Sequence, residues 1–367
     1  MITTIAVRNF KVFKDFDFHP SNLTVLAGMN GMGKSSVIQA LLLLRQSFED
    51  TRLMTGAISL NGALVNLGKG KDVLYQYAVE ETISIGVTVD GESYQWLFEY
   101  RPERDYLSGT NRYEREQLAS ISLFGDRFQY LHAERQGPED TYAMNDFVVA
   151  HQRQVGIHGE LTAHYLYLYR NEEVTVESLH HPRAKAATLY SQVEAWLGEI
   201  SPGIRVNVTN MPSTNSVILT YQYATGTDYT DNFRPSNVGF GITYCLPIIV
   251  SILSARPGKL IIVENPEAHL HPRGQSAMGK LMALAAQSGI QIVVETHSDH
   301  VVNGIRVAAK QENINPENVR IYFFDREFIG SEHTTRILSP AIDSEGRIDF
   351  FPEGFFDEWD RNLLELL

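Results

Sequence analysis

The sequence is poor in cysteine, in long apolar runs and in excess positive charge. Its 367 residues include one cysteine, Cys245, which excludes a disulfide framework and any metal site built from cysteine alone. No uncharged apolar run approaches the roughly 18 residues that a membrane-spanning helix needs. The N-terminal residues alternate charged and apolar side chains, which is not the pattern of a signal peptide. We therefore expect a cytoplasmic protein with no membrane partner.

Acidic residues outnumber basic ones. The chain has 44 Asp and Glu against 31 Lys and Arg, a net charge of -13, which excludes a uniformly basic coat for nucleic acid. Eight of the acids lie in residues 341–367 against only Arg347 and Arg361. The rest of the chain is therefore closer to neutral, and a local basic groove stays possible. Arg183 and Lys185 are the basic residues best placed for such a groove.

Short apolar runs alternate with helical patterns. Runs at 23–27, 260–263, 290–294 and 319–324 predict buried parallel strands, because both of their faces must be covered. Helical patterns at 34–48, 276–286 and 300–310 follow the first three runs. This repeated strand-then-helix order predicts an α/β fold with a doubly wound, mostly parallel sheet.

The middle of the chain has a different pattern. Residues 82–89 alternate apolar and polar side chains, and the segments around 206–208 and 217–221 do likewise, so half-exposed antiparallel strands are predicted there. We expect three regions. Residues 1–133 form an N-terminal lobe with an antiparallel β subdomain, 134–202 a helical insertion or lid, and 203–367 a C-terminal lobe ending in an acidic tail.

Residues 28–35, Gly-Met-Asn-Gly-Met-Gly-Lys-Ser, are predicted to form a phosphate-binding loop, and the alternative is a glycine-rich strand-to-helix turn that binds nothing. They fit Gly-x-x-x-x-Gly-Lys-Ser and lie between an apolar strand and an apolar helix, which is the context that the motif requires. The glycines let backbone N–H groups curl around phosphates, and the helix start adds N–H donors and its dipole. Lys34 would bridge the terminal phosphates and the Ser35 hydroxyl would hold Mg²⁺. The predicted nucleotide-binding residues of this loop are Asn30, Gly31, Gly33, Lys34, Ser35 and Ser36.

Two later strands end in polar side chains. The run at 260–263 is followed by Glu264, Asn265, Pro266 and Glu267, and the run at 290–294 by Glu295, Thr296 and His297. A carboxylate at a strand tip can reach a metal ion or its water shell, and a second can orient an attacking water. Because parallel strands end at one edge of a sheet, we expect these groups and the phosphate loop to line one crevice.

Together with the segment Ser236-Asn237-Val238-Gly239 before an apolar helical pattern, these motifs resemble ABC-type ATPases. The resemblance covers nearly the whole chain. It is strongest to the short SMC/RecF/OLD-related branch, which is often encoded beside effectors in prokaryotic anti-phage operons. It implies a P-loop NTPase fold of ABC type with ATP and Mg²⁺ as cofactors.

The resemblance also implies roles for single residues. Ser236 and Gly239 stand at the signature position, which in the family contacts the γ-phosphate held by the opposite subunit, so two chains would clamp two ATP molecules head to tail. The hydroxyl and N–H groups of Ser-x-x-Gly at a helix start suit an anion. The alternative is that this segment only caps the N-terminus of a core helix and binds no ligand. His297 resembles the switch histidine that hydrogen-bonds the γ-phosphate.

The acidic motif departs from the family pattern. The wider family has Asp-Glu-Pro, with Asp on the metal and Glu as the base, whereas this chain has Glu264-Asn265-Pro266. Asparagine cannot accept a proton at neutral pH. Either Glu264 binds Mg²⁺ and Glu267 is the base, or hydrolysis is slow and ATP acts mainly as a dimer switch.

No nuclease motif accompanies these elements. OLD-type proteins carry a Toprim domain with Asp-x-Asp, but no Asp-x-Asp follows His297, and no Glu-x-Lys occurs anywhere in the chain. We therefore expect a separately encoded effector, a nuclease, and an ATP-hydrolysing chain that regulates it or senses for it. Two alternatives stay open: a RecF- or SMC-like DNA-binding repair ATPase, and a nearly inert ATP-dependent scaffold.

Overall fold

The computed structural model describes residues 1–329, 332–355, 363, 365 and 366. Residues 356–362, which include three acids of the predicted acidic tail, lie outside the described residues. The chain divides into two compact units. Unit 1 comprises residues 1–128, 320–341 and 350–367, and unit 2 comprises 129–319 and 342–349. The division into regions at 134 and 203 stays a prediction.

The described residues form sixteen strands and seven α-helices. The strands are β1 (Ile2–Phe10), β2 (Phe13–Phe18), β3 (Leu23–Gly28), β4 (Ala57–Ser59), β5 (Thr82–Val89), β6 (Glu92–Glu99), β7 (Tyr106–Ser108), β8 (Phe128–Leu131), β9 (Tyr142–Ala143), β10 (Ile204–Met211), β11 (Ser216–Thr225), β12 (Asp228–Tyr229), β13 (Leu260–Glu264), β14 (Gln291–Glu295), β15 (Val319–Ile329) and β16 (Glu332–Leu338). The helices are α1 (Lys34–Glu49), α2 (Arg115–Ala119), α3 (Thr162–Tyr169), α4 (Leu189–Ile200), α5 (Phe240–Leu253), α6 (Pro272–Gln287) and α7 (Asp299–Lys310).

Unit 1 contains an antiparallel sheet in the order β2-β1-β5-β6 and a small β4-β7 pair. On β6, Tyr94, Trp96 and Phe98 are buried and the residues between them are exposed, which is the expected alternation of a half-buried strand. The prediction of a half-exposed β5 was wrong. Ser84 is buried as well as the apolar residues, because β5 lies between β1 and β6 and Gln95 Nε2 donates to Ser84 Oγ at 3.1 Å.

Strand β3 carries the phosphate loop in unit 1, beside β15, which pairs antiparallel with β16. Aromatic side chains pack around it: Phe18 lies 5.3 Å from Tyr322 and 6.1 Å from Phe324 between ring centroids, and Phe13 lies 5.3 Å from Phe18. Helix α1 follows the loop and is buried almost all round, as its apolar pattern predicted.

Unit 2 contains the parallel pair β13 and β14, with β8 beside β13, and a separate antiparallel group of β9 to β12. Strands β13 and β14 are buried over nearly their whole length, as continuous apolar runs predict. Helix α6 follows β13 and α7 follows β14, which confirms the strand-then-helix order. Helix α6 begins at Pro272, four residues before the predicted start, because Pro is favoured in the first helical turn.

The α/β fold class is confirmed, with mostly parallel core strands and separate antiparallel sheets. No helix among the described residues has the length and apolarity needed to cross a membrane.

Candidate functional site

Three glycines of the phosphate loop in unit 1 have left-handed backbone conformations, and two of them are also closely packed. Gly28, Gly31 and Gly33 have φ angles of 126°, 75° and 100°, in the region that only glycine adopts easily. A Cβ atom on Gly28 would lie 2.2 Å from the Phe324 carbonyl oxygen, and one on Gly33 would lie 2.3 Å from Val12 Cγ2. The loop is therefore closely packed against neighbouring chain on one side, while Asn30 and Gly31 are exposed.

Lys34 is held inside this loop. Its side chain is buried, and Nζ donates hydrogen bonds to the carbonyl oxygens of Gly28 at 2.8 Å and Met29 at 2.7 Å. Helix α1 begins at Lys34 with Gly33 as its N-cap residue, and no side chain caps it. The helix start thus combines a cationic group with backbone N–H donors, which is the chemistry that binds phosphate.

A cavity of about 160 Å³ lies beside the loop in unit 1. Gly31 and Met32 contribute to its wall, and the charged and aromatic side chains around it are those of Lys11, Tyr75, Tyr77 and Arg326. The two tyrosine rings are T-shaped at 5.6 Å, and Lys11 Nζ donates to Gln39 Oε1 at 2.6 Å. Burial lowers the pKa of Lys11, opposed by the charge of Asp72. Sequence reasoning missed this cavity, because distant parts of the chain build it.

In unit 2, Glu264 ends β13 and is held by residues in and just after β8. Its Oε1 accepts from the Tyr130 hydroxyl at 3.0 Å and its Oε2 from the Ala133 N–H at 3.1 Å. His132 Nε2 lies 4.0 Å from Oε2. Burial, together with the charge of Glu264, raises the pKa of Tyr130 far above its ordinary value, so the phenol remains a donor. Sequence reasoning missed this role of residues 130–133, because no local pattern links them to Glu264.

Arg135 holds the backbone of the turn after β13 through hydrogen bonds to two of its carbonyl oxygens. Its guanidinium donates to the carbonyl oxygens of Glu264 at 2.7 Å and Asn265 at 2.6 Å. Asn265 has a φ of 45°, and its N–H donates to the Glu295 carbonyl at 2.8 Å. Asparagine tolerates this left-handed conformation better than glutamate. The local backbone thus gives a physical reason for asparagine at the position where the family has its base.

Glu267 is bound to the residues that follow β14. Its Oε1 accepts from the backbone N–H of His297 at 2.7 Å and its Oε2 from the Thr296 hydroxyl at 2.8 Å. Thr296 is fully buried, whereas His297 is exposed. Of the predicted site residues in unit 2, the structure therefore brings Glu267 and His297 into direct contact. Thr296 was not singled out from the sequence, since a threonine at a strand end has no distinctive pattern.

The predicted signature segment precedes α5. Ser236 lies in a short 3₁₀ turn at Pro235–Asn237, and α5 begins at Phe240, directly after Gly239, so the predicted helix does follow this segment. Gly239 is the N-cap residue of α5, is exposed and has open space around it. The side chain of Phe240 is 53% exposed, with its ring 5.8 Å from that of His269. The structure thus exposes the segment and sets it beside the turn that contains Glu267.

Comparison with known families gives three matches to parts of the chain. Residues 1–151 match a family described as an AAA ATPase domain. Residues 153–303 match an AAA domain family whose description names the AbiEii toxin and a type IV toxin–antitoxin system. Residues 314–366 match a family described as a protein of unknown function, DUF3696. No curated protein matches the chain.

Two solved structures of SMC head domains are similar to the chain. One, bound to the C-winged helix domain of ScpA, is 14% identical over 92% of this chain and 98% of that chain, with a TM-score of 0.55. The other has an extended coiled coil and is bound to the C-terminal domain of ScpA derived from Pyrococcus furiosus. It is 12% identical over 100% of this chain and 99% of that chain, with a TM-score of 0.51.

At such identities the likeness concerns the fold. Together with the AAA matches to parts of the chain, it gives the chain a P-loop NTPase fold of AAA and SMC-head type. The predicted resemblance to SMC- and ABC-like ATPases is confirmed at this level.

Proposed function

We propose that the protein is an ATP-driven dimer switch: it binds ATP with Mg²⁺, closes head to tail with a second copy, and hydrolyses ATP to reopen. The observation that carries the proposal is the position of Lys34. Its ammonium group already bonds two carbonyls of a glycine loop at an uncapped helix start. Phosphate oxygens would replace those carbonyls as acceptors and gain a stronger, charge-assisted bond.

The nucleotide would use three groups of residues. The predicted loop residues Asn30, Gly31, Gly33, Lys34, Ser35 and Ser36 would bind the phosphates, and the cavity lined by Tyr75 and Tyr77 would take the base. By the family resemblance, Ser35 and Glu264 would hold Mg²⁺. A hydroxyl and a carboxylate are the oxygen ligands that this ion prefers, and it would neutralise charge on the phosphates. Tyr130 and Ala133 each use one acceptor site on a Glu264 oxygen, so the carboxylate keeps acceptor capacity with which it could bind the ion or its water.

Glu267 is our candidate for the base that orients and deprotonates the attacking water. Its two hydrogen bonds fix the carboxylate but use only one acceptor site on each oxygen, so a water can still donate to it. His297 would hydrogen-bond the γ-phosphate, as in the family. Because the His297 N–H donates a hydrogen bond to Glu267, a displacement of either residue would also shift the other.

Dimerisation would place Ser236 and Gly239 of one copy against the γ-phosphate of the other. Three features support this: the exposed segment, the open space around Gly239 and the exposed Phe240 ring. Aromatic residues such as Phe240 are enriched at the centres of protein interfaces.

The partner of this switch would be a separately encoded effector, a nuclease, in prokaryotic anti-phage defence. The match of residues 153–303 to a family whose description names a toxin–antitoxin system supports an effector relationship. SMC heads solved with ScpA domains are further examples of this fold with a bound partner.

The experiment measures oligomeric state and ATP turnover together. Light scattering of the purified chain with ATP and Mg²⁺ should show a dimer. Lys34→Ala should abolish the dimer because ATP binding is lost. Ser236→Arg should abolish it because the larger, charged side chain clashes at the interface. Ser236→Arg should still bind ATP as a monomer. A Lys34→Ala chain that binds ATP like the wild type would contradict the proposed phosphate site.

A nearly inert scaffold is the second candidate, and Asn265 favours it, because the usual base position holds a side chain that cannot take a proton. It predicts an ATP-dependent dimer with no turnover above background. ATP hydrolysis that depends on Lys34 would exclude it.

A further inference from the structure

A second cavity, of about 580 Å³, lies within unit 2 and contains none of the predicted nucleotide-site residues. It is bordered by α4, by one face of α6, by α7 and by the segment before α4. Cavities of roughly 300–1,000 Å³ with apolar walls and a few polar groups are the usual form of small-molecule sites. Its volume and its mixed lining therefore both fit a ligand-binding pocket.

Three of the residues that line the pocket are cationic. Arg183, Arg273 and Lys280 are its permanently charged basic residues, and Glu199 is its one carboxylate among the described residues. This leaves an excess of two positive charges in a chain whose net charge is -13. Lys280 Nζ donates to the neutral Gln311 Oε1, at 3.2 Å. The local charge is therefore opposite to that of the protein as a whole.

Glu199 organises these cations. It forms ion pairs with Arg183 and, at 3.7 Å, with Arg273, and its Oε1 lies 3.0 Å from His181 Nε2. Burial alone would raise the pKa of Glu199, but hydrogen bonds from His181 and Arg183 lower it, so the group is ionised at neutral pH. One carboxylate thus holds two guanidinium groups at the pocket and neutralises only one of them.

Apolar residues line the pocket as well. Pro182, Leu284 and Val307 line it, and Val307 is 47% exposed although it is an apolar residue on a helix. Trp196 also lines the pocket, and its indole N–H donates to the Leu179 carbonyl at 2.9 Å. Because that N–H is already bonded, Trp196 can contact a ligand only through its ring. A ligand that covers this wall needs an apolar or planar body.

We propose that this pocket binds a small phosphomonoester, with its phosphate on Arg183, Arg273 and Lys280 and its apolar or planar body against Leu284 and Val307. A phosphomonoester carries a charge of about -1.5 to -2 at pH 7, which matches the excess of two positive charges better than a single carboxylate does. Arginine binds phosphate through two parallel N–H donors, and two arginines are present.

The same helices connect this pocket to the proposed catalytic residues of unit 2. Helix α6 begins just after the turn that holds Glu267, with Arg273 in its first turn, and α7 begins just after His297. The pocket contains none of the residues proposed to bind the nucleotide, so a variant that lacks the phosphate site can be used to test it.

The test uses calorimetry on the full chain carrying Lys34→Ala, which removes the proposed ATP site. The probes are AMP, inorganic phosphate and adenosine. AMP should bind with a stoichiometry of one, phosphate more weakly, and adenosine more weakly still by at least about tenfold, since charge-assisted bonds dominate. Quenching of tryptophan fluorescence by AMP should disappear in Trp196→Phe.

Variants locate the binding. Arg273→Met and Lys280→Met should each weaken AMP binding by about tenfold. Arg256→Met, a matched charge loss at an exposed arginine outside the pocket, should not. Val307→Glu puts a carboxylate at the exposed mouth and should also weaken AMP binding. Circular dichroism and the unfolding midpoint verify that each variant is folded.

Three results would overturn the proposal: no AMP or phosphate binding by the folded chain, equal binding of adenosine and AMP, or binding unchanged in all pocket variants. A single strand of about 20 nucleotides that binds more tightly than AMP, with a steep dependence on salt, would overturn it in favour of a nucleic-acid groove.

Discussion

The Oε1 atom of Glu267 accepts a hydrogen bond from the backbone N–H of His297 at 2.7 Å. The two residues stand thirty positions apart, after neighbouring parallel strands. The bond joins the acid of one turn to the residue proposed to touch the γ-phosphate. It makes Glu267 both a candidate base and a positioning group, and substitution can separate these roles.

Glu267→Gln should reduce kcat for ATP by about 10²- to 10⁴-fold, the usual contribution of a general base, while ATP binding is retained. The amide keeps the shape and an acceptor for the His297 N–H, so the fold should survive. If Glu267→Gln hydrolyses ATP at the wild-type rate while Lys34→Ala is inactive, the base assignment is wrong. Steady-state phosphate release measures the rates.

Tyr130→Phe should lower the free energy of unfolding by about 1–3 kcal/mol, because it takes one of the two hydrogen-bond donors from a largely buried carboxylate. That carboxylate, on Glu264, is 12% exposed. Tyr94→Phe is the control, since its hydroxyl bonds the exposed Glu92 and its loss should cost less than about 1 kcal/mol. Urea unfolding gives both values, and equal losses would argue against a special role for Tyr130.

Gly28→Ala should destabilise unit 1 by about 2–4 kcal/mol, because alanine is strained at this φ and its Cβ would clash with the Phe324 carbonyl. Gly198→Ala is the matched control. Gly198 lies inside α4 with no atom within 4 Å of the position that an alanine methyl group would take, so the change should stabilise the protein by about 0.5–1 kcal/mol. Thermal unfolding would show opposite shifts, and a Gly28→Ala chain as stable as the wild type would contradict the packing of the loop.

The buried Lys259 should make stability depend on pH. Burial lowers the pKa of Lys259 to about 8 from an ordinary 10.5, with a further contribution from Arg153. Between these two pH values the unfolded chain binds more protons than the folded one, so the free energy of unfolding contributed by this group rises with pH. Below about pH 8 the group destabilises the fold by an amount on the order of 1–3 kcal/mol.

Lys259→Met should therefore be more stable than the wild type at pH 7, and the difference should shrink towards about pH 10. Lys310→Met, at a lysine whose side chain is 64% exposed, is the control and should show no such trend. Urea unfolding at several pH values measures the difference. A constant difference across this range of pH would contradict the proposed titration.

Much of the fold could be predicted from local pattern. The apolar runs placed β3, β13, β14 and β15, since strands covered on both faces have continuous apolar sequence. The phosphate loop was recognisable because its glycines and Lys34 act through backbone and helix-start chemistry confined to a short stretch of chain. The helical pattern after Gly239 corresponds to α5, which begins at Phe240, while Ser236 itself lies in a proline-initiated 3₁₀ turn.

The sequence by itself determined the α/β class, the phosphate loop and the order of the acidic and histidine motifs, because each depends on residues close together in the chain. Only the tertiary structure decided which groups hold one another: Tyr130 on Glu264, His297 on Glu267, and Glu199 among the cations of the second pocket. These contacts join residues 16 to 134 positions apart. Periodicity carries no information about such pairs, because packing of whole elements brings them together.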